Sequence, residues 1–389
     1  MQTVKLGTLC DIQAGGTPSR AEPVYWKNGT IPWVKISDFD GGNVRTTEES
    51  ITQEGLDNSS AKLFPKGTIL YTIFATLGEV AVLQMEAATN QAIAGLHLHD
   101  ERIDAAYLYY FLISIKEKVL RLGRGVTQNN INLKILRNID VPVPPLAEQQ
   151  RIVRELQQVG ALLANRRQVD EKLAELPKAR FVEMFGDPVV NPMGWEKHRL
   201  DELGTCKNGM NFHNGDSGVE LHCLGVGDFK NHSVITDCQI LPKVSLNQIP
   251  SQDYLLKDDD IVFVRSNGNK DLVGRCLAVY PKNTPTTFSG FCIRFRADER
   301  SPITTEYLLS VLKTSGIRSM MAGRGANIQN LNQKMLSALP IPLPPLDLQR
   351  RFAAFARACA AQRAACARQI AVLETLRGKL LQDAFGAAG

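Results

Sequence analysis

The stretch VRSNGNKDLVGR at Val264–Arg275 gathers Arg265, Ser266, Asn267, Asn269, Lys270 and Arg275 into eleven residues. All six carry hydrogen-bond donors, and no histidine or cysteine accompanies them. Their chemistry is recognition. An arginine fork fits two acceptors on guanine, an asparagine amide fits adenine, and lysine or a hydroxyl fits phosphate. The same composition also describes a solvated polar hairpin, and both readings stay open at this point. Lys230 and His232 occupy a similar loop, and near the N-terminus Arg20, Lys27, Lys35 and Arg45 flank loops with glycines and aromatics. Arg124 and Arg324 sit in two GRG triplets, where they either bind phosphate or brace the backbone. His97 and His99 alternate along a strand-like run and are expected to have no special role.

Catalytic patterns are missing together. There is no N/D-P-P-Y/F segment of an adenine methyltransferase and no G-x-x-x-x-G-K-S/T nucleotide loop. G-x-G-x-x-G after a strand and H-E-x-x-H are absent too. The eight cysteines include no C-x-x-C pair, which predicts small buried hydrophobes in a reducing cytoplasm rather than a zinc site or disulfide framework. No run approaches about 18 apolar residues, and the N-terminus lacks a basic-then-apolar leader, so neither a membrane span nor a signal peptide is expected. The net charge of +5 is mild, and the segment 346–389 holds most of the excess, with seven Lys/Arg against three Asp/Glu. Charge alone does not point to nucleic acid.

The elements that must position these residues are announced by an internal repeat. GRGVTQNNINLKILRNIDVPVPPLAEQQR at Gly123–Arg151 faces GRGANIQNLNQKMLSALPIPLPPLDLQRR at Gly323–Arg351, 200 residues on and without a gap. Thirteen of the 29 columns are identical: Gly123, Arg124, Gly125, Asn130, Asn132, Lys134, Leu136, Pro142, Pro144, Pro145, Leu146, Gln149 and Arg151. Further on Leu173, Leu176, Phe185 and Gly186 repeat as Leu373, Leu376, Phe385 and Gly386. Upstream, VKLGTL answers HRLDEL, ISDF answers VGDF, and KGTILYT answers DDDIVFV. Each half therefore has a variable front and a constant back. The fronts read as mixed α/β with many short strands, and Ala105–Leu122 reads as helix. Thr127, Asn129 and Asn327 are candidate caps for a short helix that follows.

The doubled VPVPP and IPLPP are expected to run extended, and Pro145-Leu146 and Pro345-Leu346 to start helices. The first helix carries Ile152, Leu156, Val159, Leu163, Arg166, Val169, Leu173 and Leu176 at near-heptad spacing, and Pro177 is expected to end or kink it. The second carries Phe352, Phe355, Cys359, Cys366, Ile370, Leu373, Leu376 and Leu380. Two such stripes predict an antiparallel pair, roughly 45 Å long, with a similar domain at each end. Such a caliper suits DNA, whose successive turns lie roughly 34 Å apart.

The doubled pattern G-x-G … K-x-L … I/V-P-x-P-P-L-x-x-Q-x-R resembles the specificity subunit of type I restriction–modification systems, and MFGDPVVNPMGW at Met184–Trp195 is similar to that family's entry into its second half. The resemblance covers essentially the whole chain. It implies an α+β fold of two α/β target recognition domains separated by two long antiparallel helices in a coiled-coil spacer, with an internal pseudo-two-fold repeat. The expected boundaries are 1–145 and 198–345 for the domains, 146–185 and 346–386 for the helices, and 186–197 for the linker. It implies a non-catalytic subunit that reads a bipartite double-stranded DNA target and docks methyltransferase and restriction–motor subunits. S-adenosylmethionine, ATP and magnesium would then belong to those partners, and none to this chain. Asp347-Leu348 departs from Ala147-Glu148, so the typical glutamate is missing from the second copy. The rival readings are a coiled-coil adaptor without DNA readout and a specificity module of a related methylase–nuclease system.

Overall fold

The computed structural model describes residues 2–123, 131–212, 215, 217–230, 232–322 and 330–386. The chain divides into two units, Met1–Arg167 with Arg368–Gly389, and Gln168–Ala367.

In the first unit a five-stranded sheet runs in the order Cys10–Ala14, Ile93–Leu98, Ile69–Thr72, Val80–Leu83, Asn43–Val44. Ile12, Ile69, Tyr71 and Leu96 face the helix Ala105–Ser114 through Tyr107, Leu108 and Phe111. Leu70, Ala81 and Leu83 pack with Val34, Val44 and Phe64 in a separate cluster. All four residues of Ile69–Thr72 are buried, which is why KGTILYT reads as a continuous apolar run rather than an alternating one. A smaller sheet, Glu49–Ile51, Ile31–Val34, Ala87–Thr89, Leu63–Phe64, lies in the same unit.

The second unit repeats this plan, with the order Gly204–Asn208, Cys292–Ala297, Asp260–Val264, Cys276–Val279, Val234–Ile235. The paired stretches recognised in the sequence occupy matching places. ISDF and VGDF both form 3-10 turns, in which Asp38 accepts from the Lys35 amide at 2.7 Å and Asp228 from the Gly225 amide at 2.8 Å. The predicted helix Ala105–Leu122 is two helices, Ala105–Ser114 and Lys116–Gly123.

Each Pro-Pro junction is tied down more tightly than an extended exit. Thr3–Lys5 pairs antiparallel with Asp140–Pro142, and Lys197–Arg199 with Pro340–Pro342. Proline fits there because a two-stranded ribbon leaves one edge of each strand without a ladder to serve. The short helices after the GRG segments are capped by Asn132, whose side chain accepts from the Ile135 amide, and by Asn332, which accepts from Met335. The expected caps Thr127, Asn129 and Asn327 lie outside the described residues.

Both long helices run 40 residues, Leu146–Phe185 and Leu346–Phe385, or about 60 Å each. Of the two expected effects of Pro177, an end or a kink, the first does not occur: the helix continues through it. The missing N–H forfeits one bond to the Leu173 carbonyl at about 3 kcal/mol. Beyond it Phe181 and Phe185 are 3% and 2% exposed, and burying rings of that size stabilises by about 3–5 kcal/mol each, so continuation wins. Gly186, at φ +72°, closes the helix in the left-handed conformation, its amide bonded to the Val182 carbonyl.

The two helices are antiparallel in each unit. In the first, Arg167 pairs with Glu374 at 2.8 Å, and the Phe385 ring lies 5.2 Å from Tyr107 and 5.8 Å from Phe111. In the second, Arg363 pairs with Asp170 at 3.0 Å, and Phe185 lies 4.8 Å from Tyr307 and 5.6 Å from Phe352. Of the predicted stripes, Ile152, Leu156, Val159, Leu163, Phe352, Cys359 and Cys366 are buried, while Leu173, Phe355, Ile370, Leu373 and Leu380 are half-buried. Val169, Leu176 and Leu376 are exposed. A 3.6-residue helix drifts about 20° per heptad from a 3.5 repeat, which carries a 4–3 stripe off the contact face. The eight cysteines are free; burial pushes the thiols of Cys10 and Cys223 up to about 12.

Candidate nucleic-acid interface

The constant backs position everything else through two glutamines. Gln149 is fully buried; its Oε1 accepts from the Asp104 amide at 2.8 Å, and its Nε2 donates to the carbonyls of Arg102 at 2.9 Å and Pro144 at 2.8 Å. Gln349 repeats the set on Thr304, Pro302 and Pro344 at 2.9, 3.0 and 2.8 Å. Tyr107 and Tyr307 add hydroxyl bonds to the carbonyls of Pro142 and Pro342. The long helix of each copy is thus locked to its own domain by an amide that uses both of its N–H donors and accepts one bond. Identity of Gln149 and Gln349 in the repeat was the available signal, but two of the three partners of each lie 45 and 47 residues away.

In the first unit the candidate cations are mostly engaged. Arg20 binds Glu49 at 2.6 Å and lies 3.6 Å over the Trp26 ring and 5.0 Å from Trp33. Lys35 binds Glu48 at 2.6 Å and Glu49 at 2.9 Å. Glu49, held by Arg20 first and Lys35 second, titrates below the usual carboxylate range, and Lys35 is raised by Glu48 first and Glu49 second. Arg45 stands 4.0 Å from Asp40, and Lys27 is exposed. The fold therefore brings Arg20 and Lys35 together on one carboxylate, and a phosphate would compete with Glu49 for them.

In the second unit VRSNGNKDLVGR joins the strands Asp260–Val264 and Cys276–Val279. Asn267 and Asn269 spend their side-chain oxygens on the amides of Asn269 and Asp271, at 2.8 and 3.0 Å, so they shape the turn. Arg265 donates to the Gly290 carbonyl at 3.3 Å, Arg275 to the Asp271 carbonyl at 3.3 Å, and Ser266 bridges to Asn330. Lys270 opens a 3-10 turn, Lys270–Leu272. Lys230 is exposed at the end of another, Val226–Lys230, and the His232 amide donates to the Asp228 carbonyl. Arg124 and Arg324 lie outside the described residues.

Sequence reading missed the charges inside the second sheet. Arg296 makes a two-pronged pair with fully buried Asp260, both contacts at 2.7 Å. Arg294 is 4% exposed, and its Nε lacks a partner among the described residues; burial, then Arg296, weakens its hold on its proton. The matching position in the first unit is Gly95, which lies under the Phe64 ring. One plan thus carries a glycine in one copy where the other carries a buried arginine. Among the described residues no group of three His, Cys, Asp or Glu is arranged to hold a metal ion, and no helix is long and apolar enough to cross a membrane.

Comparison with known families returns the same duplication. The type I restriction–modification DNA specificity domain matches twice, at residues 1–175 and 192–369. The chain belongs to this family. Its relatives are named as specificity subunits of type I restriction enzymes. Among its relatives, the StySPI specificity subunit of Salmonella potsdam is 25% identical over 89% of this chain and 79% of its own length. The MjaIX specificity subunit of Methanocaldococcus jannaschii is 26% identical over 67% of this chain, and the match spans only 65% of that relative. Two solved structures share the fold. A chain from a type I system studied for complex assembly and conformational transition gives a TM-score of 0.64 at 20% identity, covering 99% of this chain and 97% of that one. The S subunit from M. genitalium gives 0.58 at 18%, covering 98% and 95%.

Proposed function

We propose that the chain reads a bipartite double-stranded DNA target, one half-site per unit, and docks adenine-N6 methyltransferase and restriction–motor subunits that perform the chemistry. S-adenosylmethionine, ATP and magnesium then serve those partners, and the assembly works in the cytoplasm. The observation that carries the reading is the division of labour within the repeat. The buried glutamine, tyrosine and phenylalanine junctions are the same in both units, whereas the loops and sheet faces differ. A shared scaffold with divergent loops suits two different half-sites. The helices, each contributing to both units, would set the gap between them.

The test is co-expression with a partner methyltransferase and sequencing of modified adenines in host DNA. A bipartite motif with a constant gap, lost when this chain is deleted, is the expected result. A stable complex that leaves DNA unmodified would overturn the reading in favour of an adaptor. Arg265→Ala is expected to relax one half-site only.

A further inference from the structure

Two phenylalanines among the described residues are exposed, Phe74 at 44% and Phe291 at 60%. They come from different loops, yet they occupy the same corner of the repeated sheet. In the first unit Thr72 lies opposite Ile93 and the next amide, Ile73, donates to the Ala92 carbonyl at 2.8 Å. In the second Val264 lies opposite Cys292 and the next amide, Arg265, donates to the Phe291 carbonyl at 2.8 Å. Ile73 therefore corresponds to Arg265, Phe74 to Ser266 and Ala92 to Phe291. Each corner carries one exposed ring, placed on one loop in the first unit and on the facing loop in the second. Both corners also meet equivalent residues of the repeat, since Ile131 donates to the Ile73 carbonyl and Leu331 to that of Arg265.

A single exposed ring is ordinary on a protein surface. The same corner holding one ring in both copies, by exchange between neighbouring loops, is a placement that packing does not require. The surroundings are polar. The amides of Arg265 and Ser266 both donate to the Phe291 carbonyl, and exposed Gln91 precedes Ala92, the residue facing the Phe74 loop. An aromatic face among hydrogen-bond donors suits a nucleobase, which offers a π-face and polar edges together, better than an apolar protein groove.

We propose that Phe74 and Phe291 are the stacking wedges of the two units, each seating its ring against a base step of its half-site. The proposal rests on the reading of the chain as a DNA-specificity subunit. Apolar side chains pressed into a base step unstack it and fix the register of the flanking contacts. Because every base has a π-face, the wedge itself tolerates sequence, and the neighbouring donors discriminate.

The experiment titrates the full chain, assembled with its methyltransferase partner, into duplexes bearing the recognised sequence with 2-aminopurine at successive positions of each half-site. Fluorescence is expected to rise at one step per half-site. Phe291→Ala should abolish the rise in one half-site only and weaken binding on the order of 5- to 100-fold. Phe291→Trp should restore it, and Phe74→Ala should do the same at the other half-site. Both rings are solvent-exposed, so unchanged melting checks that each variant folds. Wild-type complex that binds no duplex specifically would sink the underlying reading. Specific wild-type binding with Phe74→Ala and Phe291→Ala indistinguishable from it would overturn the wedge alone. Loss of methyltransferase assembly with DNA affinity retained would overturn it too, making the rings protein contacts.

Discussion

Gln149→Leu tests the junction that positions each recognition unit. The substitution preserves approximate size and removes three hydrogen bonds, to the Asp104 amide and to the carbonyls of Arg102 and Pro144. The Pro144 bond is buried, and leaving its carbonyl unpaired costs about 1–3 kcal/mol. The other two are part-buried and contribute about 0.5–1.5 kcal/mol each. Burying an apolar leucine returns about 1 kcal/mol. The net loss is therefore about 3 kcal/mol, which lowers the melting temperature of a domain this size by roughly 6–12 °C. Gln349→Leu should match it, because the bond lengths agree within 0.1 Å. Gln149→Glu should be worse near neutral pH, since it sets a carboxylate against two carbonyls, and should recover partly on acidification, when a protonated carboxyl can donate again. Thermal melts report the loss, and amide exchange at Asp104 reports its place. A leucine variant that melts with the wild type and keeps Asp104 protected would refute the clamp.

The caps and ring plugs make parallel predictions. Asn132→Ala and Asn332→Ala should each cost about 1 kcal/mol in chemical denaturation, the Ile135 and Met335 amides losing their acceptors. Phe385→Ala should destabilise the first unit and Phe185→Ala the second by about 3–5 kcal/mol, seen as exchange confined to the Tyr107 or Tyr307 core respectively. The Asp100 carboxyl, bonded first by the Arg102 side chain, is held down to about 2. Its folded value is depressed, so its contribution is present above the ordinary carboxylate range and is lost as pH falls through the window from about 4 to about 2. Carboxyl titration by NMR should find it there, and Arg102→Ala should raise it only part of the way, because the Arg102 amide still donates to it at 2.9 Å.

The duplication, the Pro-Pro helix starts and most of the apolar seam were legible because each is a local pattern: a repeat of identities, a backbone restriction, a helical period. The candidate loops were legible as donor-rich stretches, but not what their donors do. Asn267 and Asn269 look alike as base readers and turn formers until the turn is built. Arg20 and Lys35 look like free cations until the fold brings Glu49 between them.

By itself, the sequence determined that one plan is used twice and that a helix leaves each copy at the same proline pair. Tertiary structure alone decided that the first helix continues through Pro177, because one lost bond is outweighed by two buried rings. It also decided that Gln149 and Gln349 find partners 45 and 47 residues away, and that Phe74 and Phe291 occupy equivalent corners of their own units. Such contacts join residues that no local period relates, so they are settled only when the chain closes on itself.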